Sequence, residues 1–216
     1  MKVFSKYCLI KYDPQEWPFA EILKRDVFKV PRLENLHDFI LAKKKRLGYK
    51  IRLSNEDNLA MRQLMRNQKD DSPFYQLYRH FMVKILAPLV GQSLTYSSHP
   101  EMRVHLAGTA SVSAFHNDVS VTNRVDQINF WMPFTDVYDT ATLWVESDYG
   151  LADYQPIPVK YGEVLIFDGG YLDHGTKTNT TNTTRISIDM RFSVKQASTR
   201  EEGLRLLHRM IKLSQN

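Results

Sequence analysis

Two histidines and one aspartate in this chain have the residue types and the order expected of ligands for one metal ion. Successive side chains of a β-strand alternate between its two faces, so His116 and Asp118 are predicted to point to the same side. His174, arriving from another strand, would complete a triangular face. Two imidazoles and one carboxylate leave coordination positions open, as in non-haem Fe(II) sites that also bind oxygen and an organic co-substrate. Structural zinc usually has four ligands, preferably thiolates, and this chain has one cysteine, Cys8.

A strand rich in alternating polar residues follows the second histidine. The pattern His116-x-Asp118 alone also fits a strand histidine beside a solvated aspartate, so a further observation is needed. Arg185 opens the alternating run 185–194, which is predicted to be a strand. An arginine that reaches a pocket from a strand can pair bidentately with a carboxylate. The run therefore predicts a place for a dicarboxylate co-substrate.

Several motifs, taken in order, resemble the Fe(II)/2-oxoglutarate-dependent oxygenases. The resemblance is to the branch that includes phytanoyl-CoA hydroxylase-like enzymes and the oxygenases of streptomycin-type biosynthesis clusters. It covers residues 100–194, through His116-x-Asp118, segments 127–136, 142–147 and 162–168, His174-Gly175 and Arg185-x-Ser187. It implies Fe(II) held by His116, Asp118 and His174. Arg185 would anchor 2-oxoglutarate, and O2 would be the other co-substrate.

The same resemblance implies a reaction. Halogenases of this family replace the ligand carboxylate with a small residue, whereas this chain keeps Asp118. We therefore expect hydroxylation of a C–H bond, with His116, Asp118 and His174 as the catalytic centre and with release of succinate and CO2. The expected substrate is a polar small molecule such as a sugar or an aminocyclitol-like metabolite. Two alternatives stay open: an oxygenase of a protein side chain or nucleic acid, and a non-catalytic metal-binding β-barrel module.

Polar residues near these motifs are candidates for further roles. Ser187 would share a face with Arg185 and give the distal carboxylate of 2-oxoglutarate a second donor. Thr176 matches a position where relatives often carry a hydroxyl that helps to hold 2-oxoglutarate, although an ordinary strand threonine fits equally. Asn129, if it points into the barrel, would be another donor to the co-substrate or its surroundings. Candidate substrate residues are Arg103, Trp131 and Glu146.

The elements that must position these residues change character along the chain. From Leu94 onward the hydrophobic period alternates, and the candidate strands are 94–97, 103–106, 111–115, 127–131, 143–145, 164–167 and 185–194. Many short strands at this spacing predict a sandwich or jelly roll. Before them, a short opening strand and helices over 31–48, after Ser54 and after Ser72 are predicted.

These patterns predict one domain, 1–216, of a mainly β class with flanking helices (α+β). Residues 1–93 form a mainly helical part that packs on the sheet, 94–194 the core, and 195–216 a C-terminal helix. The resemblance implies that the core is a double-stranded β-helix (jelly roll, cupin-like). The C-terminal helix could dock on the body or pair with a second subunit in a homodimer.

Charge and composition bear on partners and location. The net charge of +5 is scattered, apart from a basic run at 43–46 that ends a predicted helix. No aromatic-plus-basic motif accompanies it, so a nucleic-acid partner is not expected. No apolar run reaches about 20 residues, and residues 1–11 lack the apolar core of a signal peptide. We therefore expect a cytoplasmic protein with no membrane partner, which a single cysteine also permits.

Overall fold

The computed structural model describes residues 6–91, 93–195 and 197–214. Residues 1–5 of the stretch considered for a signal peptide, and 215–216 of the predicted C-terminal helix, lie outside the described residues. The architecture combines helices with two antiparallel sheets. No helix in the described part of the chain is long and apolar enough to cross a membrane.

Nine strands are found among the described residues, and every pairing between them is antiparallel. They are β1 (Tyr7–Lys11), β2 (Leu94–Tyr96), β3 (Glu101–His105), β4 (Ile128–Pro133), β5 (Leu143–Val145), β6 (Gln155–Ile157), β7 (Glu163–Phe167), β8 (His174–Gly175) and β9 (Arg185–Val194). The larger sheet has the order β1-β7-β4-β9, and β2 and β3 both pair along β9. The smaller sheet has the order β6-β5-β8. Strand β9 therefore pairs with three strands of the larger sheet, β4, β2 and β3.

The helices come mainly from the N-terminal part. They are α1 (Phe19–Ile22), α2 (Leu36–Arg46), α3 (Asn55–Arg66), α4 (Pro73–Phe81), α5 (Ala87–Val90), α6 (Asp118–Thr122) and α7 (Arg200–Ser214). The predicted capping box at Ser54 is present, because the Ser54 backbone N–H donates to the Asp57 carboxylate at 2.8 Å. Such an interaction satisfies a backbone group that the first helical turn leaves free.

Two apolar clusters hold the layers together. The larger lies between the N-terminal helices and one face of the larger sheet, where Phe81 meets Phe130 and Phe19 meets Phe134 edge-on or tilted. The smaller lies between the two sheets and includes Trp131 and Leu165. Burial of this much apolar surface is the main favourable term in folding. The inner faces of the sheets also enclose polar side chains, which form the site described below.

One predicted strand is wrong. Residues 111–115 form an irregular loop, because the hydroxyl oxygen of Thr176 accepts the backbone N–H groups of Val112 and Ser113, each at 3.1 Å. These hydrogen bonds to Thr176 take the place of the backbone hydrogen bonds that a strand would form. The prediction also lacked β6, whose three residues include a proline. A strand this short carries too little alternation to be read from sequence.

The C-terminal helix α7 packs on its own chain. Its apolar edge, Leu206, Leu207 and Met210, is buried against β1 and neighbouring elements. At its start, Arg200 binds both oxygens of the buried Asp168 at 2.5 Å. The docking alternative thus accounts for the apolar face of this helix, and a homodimer stays a prediction.

Candidate metal centre

His116, Asp118 and His174 come together as predicted. Their potential ligand atoms lie within 4.8 Å of one another, close enough to hold one metal ion. The cluster contains two imidazoles and one carboxylate, the set expected of a non-haem Fe(II) site with open positions.

Backbone pairing brings the two histidines side by side. His116 donates its N–H to the carbonyl of His174 at 3.1 Å, and His174 returns a bond of 2.9 Å. In each ring, Nδ1 is hydrogen-bonded to a backbone carbonyl. The partner of His116 is the carbonyl of Ala114 at 2.8 Å, and that of His174 is the carbonyl of Leu172 at 2.9 Å. Because a carbonyl only accepts, Nδ1 carries the proton and Nε2 keeps its lone pair for a metal.

Asp118 reaches the cluster in a different way from the one predicted. It is the first residue of helix α6, not part of a strand. Asn117 caps this helix by accepting the N–H of Ser120 at 3.0 Å, and the N–H of Asp118 donates to the carbonyl of Gly169 at 2.9 Å. The alternation argument was therefore wrong in its geometry. The convergence depends instead on a capped turn that is bonded to the loop before His174.

The Asp118 carboxylate is held on both oxygens. Oδ2 accepts from Asn129 Nδ2 at 2.6 Å, and Oδ1 accepts from the Arg191 guanidinium. Asn129 can pass to Asp118 because position 169 is glycine, where an added Cβ would lie 2.5 Å from the Asn129 side chain. These partners fix the direction in which the carboxylate faces the histidines.

The electrostatics of the three potential ligands suit metal binding. Burial raises the pKa of Asp118, but hydrogen bonds with His116, Arg191 and Asn129 outweigh it, so the pKa lies well below its usual range. The hydrogen bond to Asp118 raises the pKa of His116, whereas burial lowers the pKa of His174. Protons therefore compete with a metal mainly at His116.

Arg185 lies in a cavity next to the triad. Its guanidinium is buried at 1% exposure and contacts the Ala141 carbonyl at 3.2 Å, while Nε has no partner among the described residues. Burial, followed by the positive charge of Arg103, lowers the pKa of Arg185 to about 9. A buried cation without a paired anion is costly, so this site favours an incoming carboxylate.

Two neighbours of Arg185 have buried polar atoms without partners in the described chain. They are Ser187 Oγ and His105 Nδ1. Burial, followed by the charge of Arg185, lowers the pKa of His105 to about 3, so the ring is neutral. Buried groups of this kind are normally satisfied, and their clustering fits a polar ligand at this end of the cavity.

The cavity also contacts His174, Trp131 and Thr176, and its free volume is about 20 Å³. That is room for about one water molecule. Arg103 and Asp189 close one side, with Arg103 Nη2 3.3 Å from a carboxylate oxygen of Asp189. Binding of a dicarboxylate requires this pair and neighbouring side chains to move apart.

The remaining predicted residues have specific positions. Thr176 lines the cavity, but its hydroxyl already anchors the loop 111–113. Trp131 is 3% exposed, lines the cavity and lies below Arg185, with the guanidinium carbon 5.8 Å from the ring centre. Asn129 contacts Asp118 and does not line the cavity near Arg185.

Glu146 does not fit the predicted role at the substrate rim. It is 4% exposed and its carboxylate accepts the backbone N–H groups of Asp173 at 2.8 Å and Ala152 at 3.1 Å. Both oxygens are therefore engaged in holding the segment that leads into His174. An acidic residue between a strand and a turn has the same sequence signature in either role.

Asp189 and Arg191 are the residues that sequence reasoning missed. Both lie on β9 at positions that alternate with the core residues, so they share the inner face with Arg185 and Ser187. The signal was present in the predicted strand, since every second residue of a strand faces the same side.

The fold and the triad can be compared with those of known proteins, of which HygX has a similar fold. HygX from Streptomyces hygroscopicus, solved with nickel and 2-oxoglutarate bound, matches with a TM-score of 0.53 and 12% identity, over 90% of this chain and 85% of HygX. The nickel complex of ThoJ, a non-haem monooxygenase, gives a TM-score of 0.43 and 18% identity over 53% of this chain, which spans 50% of ThoJ. No protein-family model matches.

One curated relative gives a closer relationship in sequence. The streptomycin biosynthesis protein StrG of Streptomyces griseus is 30% identical over 187 residues, which cover 87% of this chain and 84% of StrG. The chain belongs to the StrG family. The predicted metal, Fe(II), agrees with the His-Asp-His triad of the described residues.

Proposed function

We propose that this protein is an Fe(II)- and 2-oxoglutarate-dependent dioxygenase that hydroxylates a C–H bond of a polar small molecule, with release of succinate and CO2. The observation that carries the proposal is the proximity of two features. His116, Asp118 and His174 form the triad, and His174 also lines the cavity that holds the buried Arg185, whose Nε has no partner among the described residues.

The chain's residues would divide the work as follows. His116 Nε2, His174 Nε2 and one oxygen of Asp118 would hold Fe(II). Arg185 would pair with the distal carboxylate of 2-oxoglutarate, and Ser187 would donate a second hydrogen bond to it. When bound, Fe(II) with 2-oxoglutarate supplies oxidation of a C–H bond by O2, coupled to decarboxylation of the co-substrate.

Shielding and aim are the protein's other contributions. Trp131, Phe167 and Leu143 line the cavity and exclude water from its apolar side. Exclusion of water strengthens the electrostatic interactions inside the site and limits side reactions. Phe115, which precedes His116, packs against Tyr154, with the ring centres 3.8 Å apart. This contact joins the loop after Ser111 to the segment around Tyr154.

We also assign the two sheets to a double-stranded β-helix. In support, the inner faces of the larger and smaller sheets pack on each other, and the triad lies between them.

A StrG relationship supports a substrate from natural-product biosynthesis, such as a sugar or an aminocyclitol-like metabolite. The cytoplasmic location stays a prediction from sequence.

The test is binding followed by turnover. Isothermal titration calorimetry should detect binding of Mn(II) to the protein. Binding of 2-oxoglutarate should be detected only after the metal has bound. With Fe(II), ascorbate and a panel of polar small molecules, succinate should form, and one member of the panel should accelerate it. His116→Ala should abolish metal binding and succinate formation together.

Three results would contradict the proposal. Metal binding without any effect of 2-oxoglutarate would favour the non-catalytic metal module. Acceleration of succinate formation by a protein or nucleic acid, but by no small molecule, would favour the macromolecular oxygenase. Unchanged succinate formation by His116→Ala would exclude the triad as the reaction centre.

A further inference from the structure

The β7–β8 turn, residues 168–172, is bonded to two of the three potential metal ligands. The carbonyl of Gly169 accepts the backbone N–H of Asp118 at 2.9 Å. The carbonyl of Leu172 is hydrogen-bonded to Nδ1 of the His174 ring, also at 2.9 Å. These two bonds fix where the helix of Asp118 begins and which way the His174 ring faces. The placement of both side chains therefore depends on the conformation of this turn.

The turn begins with a buried carboxylate that is held from two other parts of the chain. Asp168 is fully buried, and its carbonyl closes the turn by accepting the N–H of Leu172 at 2.8 Å. Its carboxylate accepts two hydrogen bonds of 2.5 Å from Arg200, at the start of helix α7. The hydroxyl of Tyr149, from the segment between β5 and β6, donates a third at 2.6 Å. The backbone of Asp168 thus shapes the turn, and its side chain ties the turn to helix α7.

Arg200 is held in place on its own side as well. The carbon of its guanidinium lies 3.4 Å from the ring centre of Tyr171, which belongs to the same turn. Helix α7 starts with a capping interaction, because the N–H of Thr199 donates to the Glu202 carboxylate at 2.9 Å. An arginine that lies over a ring and pairs bidentately with a carboxylate has a defined orientation. Docking of α7 on the body therefore determines where Arg200 stands.

The position of this ion pair matters more than its net stability. Asp168 loses its water on burial, and pairing with Arg200 mainly compensates for that loss. A bidentate arginine–carboxylate pair supplies geometry as well as energy, because its two parallel hydrogen bonds favour one relative orientation. Here that orientation is imposed one residue before Gly169, whose carbonyl holds the N–H of Asp118. The pair is therefore well placed to align the metal ligands.

We infer that Arg200 is a positioning residue for the metal centre. By holding Asp168 it keeps the β7–β8 turn in the conformation that aligns Asp118 and His174. The inference rests on the proposed function, because that function requires a metal at the triad. Docking of helix α7 and metal binding are then coupled, and each strengthens the other by the same factor.

The test compares Mn(II) binding by the full native chain and by the full chain with Arg200→Met. This substitution removes both hydrogen bonds to Asp168 and keeps most of the length of the side chain. We expect the Kd for Mn(II) to rise about fivefold or more, since partners that orient metal ligands contribute to metal affinity. Isothermal titration calorimetry measures the Kd, and circular dichroism melting checks that each variant is folded.

A double-mutant cycle tests whether the effect passes through Asp168. Asp168→Asn keeps the size of the side chain and removes its charge, so it should weaken Mn(II) binding about as much as Arg200→Met. The double variant should bind Mn(II) no more weakly than the weaker single variant, because residues that act through one contact are not additive. Arg200→Lys keeps the charge without the fork, so it should give an intermediate Kd and serves as the test if Arg200→Met does not fold.

A matched control and a reciprocal measurement separate positioning from general stability. Arg205→Met removes the same charge from an exposed residue of helix α7 and should leave the Kd within about twofold of the native value. In the native chain, Mn(II) should slow amide hydrogen exchange in α7, since the coupling acts in both directions. In Arg200→Met this effect of Mn(II) should be lost.

Four results would each overturn the inference. They are a native Kd for Mn(II) in folded Arg200→Met, or in Arg200→Lys if the first variant does not fold; an equal loss of affinity in Arg205→Met; additive losses in the double variant; and hydrogen exchange in α7 of the native chain that Mn(II) leaves unchanged. Mn(II) binding by the native chain is measured first. Its absence would contradict the proposed function, whereas normal binding with any of the four results would remove only the role of Arg200.

Discussion

The two faces of strand β9 have opposite compositions although they share one backbone. The outer face is apolar and buried among the helices: Ile186, Ile188, Met190 and Phe192. The inner face is polar: Arg185, Ser187, Asp189 and Arg191. Because neighbouring residues face opposite ways, a substitution at one position should affect stability and a substitution at the next should affect ligand binding. This strand therefore stabilises the fold with one face and lines the candidate site with the other.

The largest expected effect is on the outer face. Phe192→Ala should lower the free energy of unfolding by about 3–5 kcal/mol, because it leaves a cavity in the core. The folded fraction should still bind Mn(II) with nearly native affinity, since the side chain points away from the triad. Chemical denaturation and calorimetry at low temperature measure the two quantities. A large loss of metal affinity in folded protein would show that the faces are not independent.

The next largest effect is expected at Arg185 on the inner face of β9. Arg185→Gln should weaken 2-oxoglutarate binding by about 100-fold or more, as expected when one partner of a buried charged pair is lost. Stability should be unchanged or higher, because an unpaired buried cation is removed. Arg185→Lys, which keeps the charge without the fork, should give an intermediate affinity. If Arg185→Gln binds 2-oxoglutarate with native affinity, the co-substrate does not bind at Arg185.

A smaller effect is expected at the residue that holds Asp118. Arg191→Met should weaken Mn(II) binding about 10- to 100-fold, the usual range for loss of a partner of a metal ligand. Arg124→Met is the matched control, because it removes the same charge from a side chain that pairs with Asp126 and not with Asp118. Equal losses in both variants would mean that the effect comes from net charge and not from the contact to Asp118.

The smallest effect concerns pH and the neighbour of Arg185 on β3. The pKa of His105 falls from 6.5 to about 3 in the folded chain, so the unfolded chain binds more protons below neutrality. Stability should therefore decrease as the pH falls through 6.5 towards 3. Between pH 7.5 and 5.5 this residue should account for about 1 kcal/mol, from the linkage relation. His105→Gln should reduce the pH-dependent loss by that amount, and an identical pH profile would show that folding does not change the pKa of His105.

The parts of the fold that could be predicted have local sequence signals. The alternation of 185–194 gives strand β9, and Ser54 with Asp57 gives the start of helix α3. The three potential metal ligands come together although they lie on different elements. Residue type and order were sufficient there, since metal chemistry restricts which side chains can serve.

The parts that failed depend on tertiary bonds. Asp118 begins a helix because its backbone N–H and that of Val119 bond to Gly169 and Gly170, a contact that no local pattern encodes. Glu146 serves backbone groups of a distant loop, which composition cannot distinguish from a substrate contact. Arg191 was overlooked for another reason. Its strand was predicted correctly, but its partner Asp118 was expected in a different geometry.

The shared backbone of β9 also restricts how its length can change. Insertion of one residue between Ser187 and Asp189 would leave Arg185 in place and exchange the faces of every later residue. Arg191 would then enter the apolar layer and Phe192 the polar inner face, so Arg185 would stay in place while the contact of Arg191 with Asp118 was lost. Tolerated insertions or deletions here should therefore come in pairs of residues.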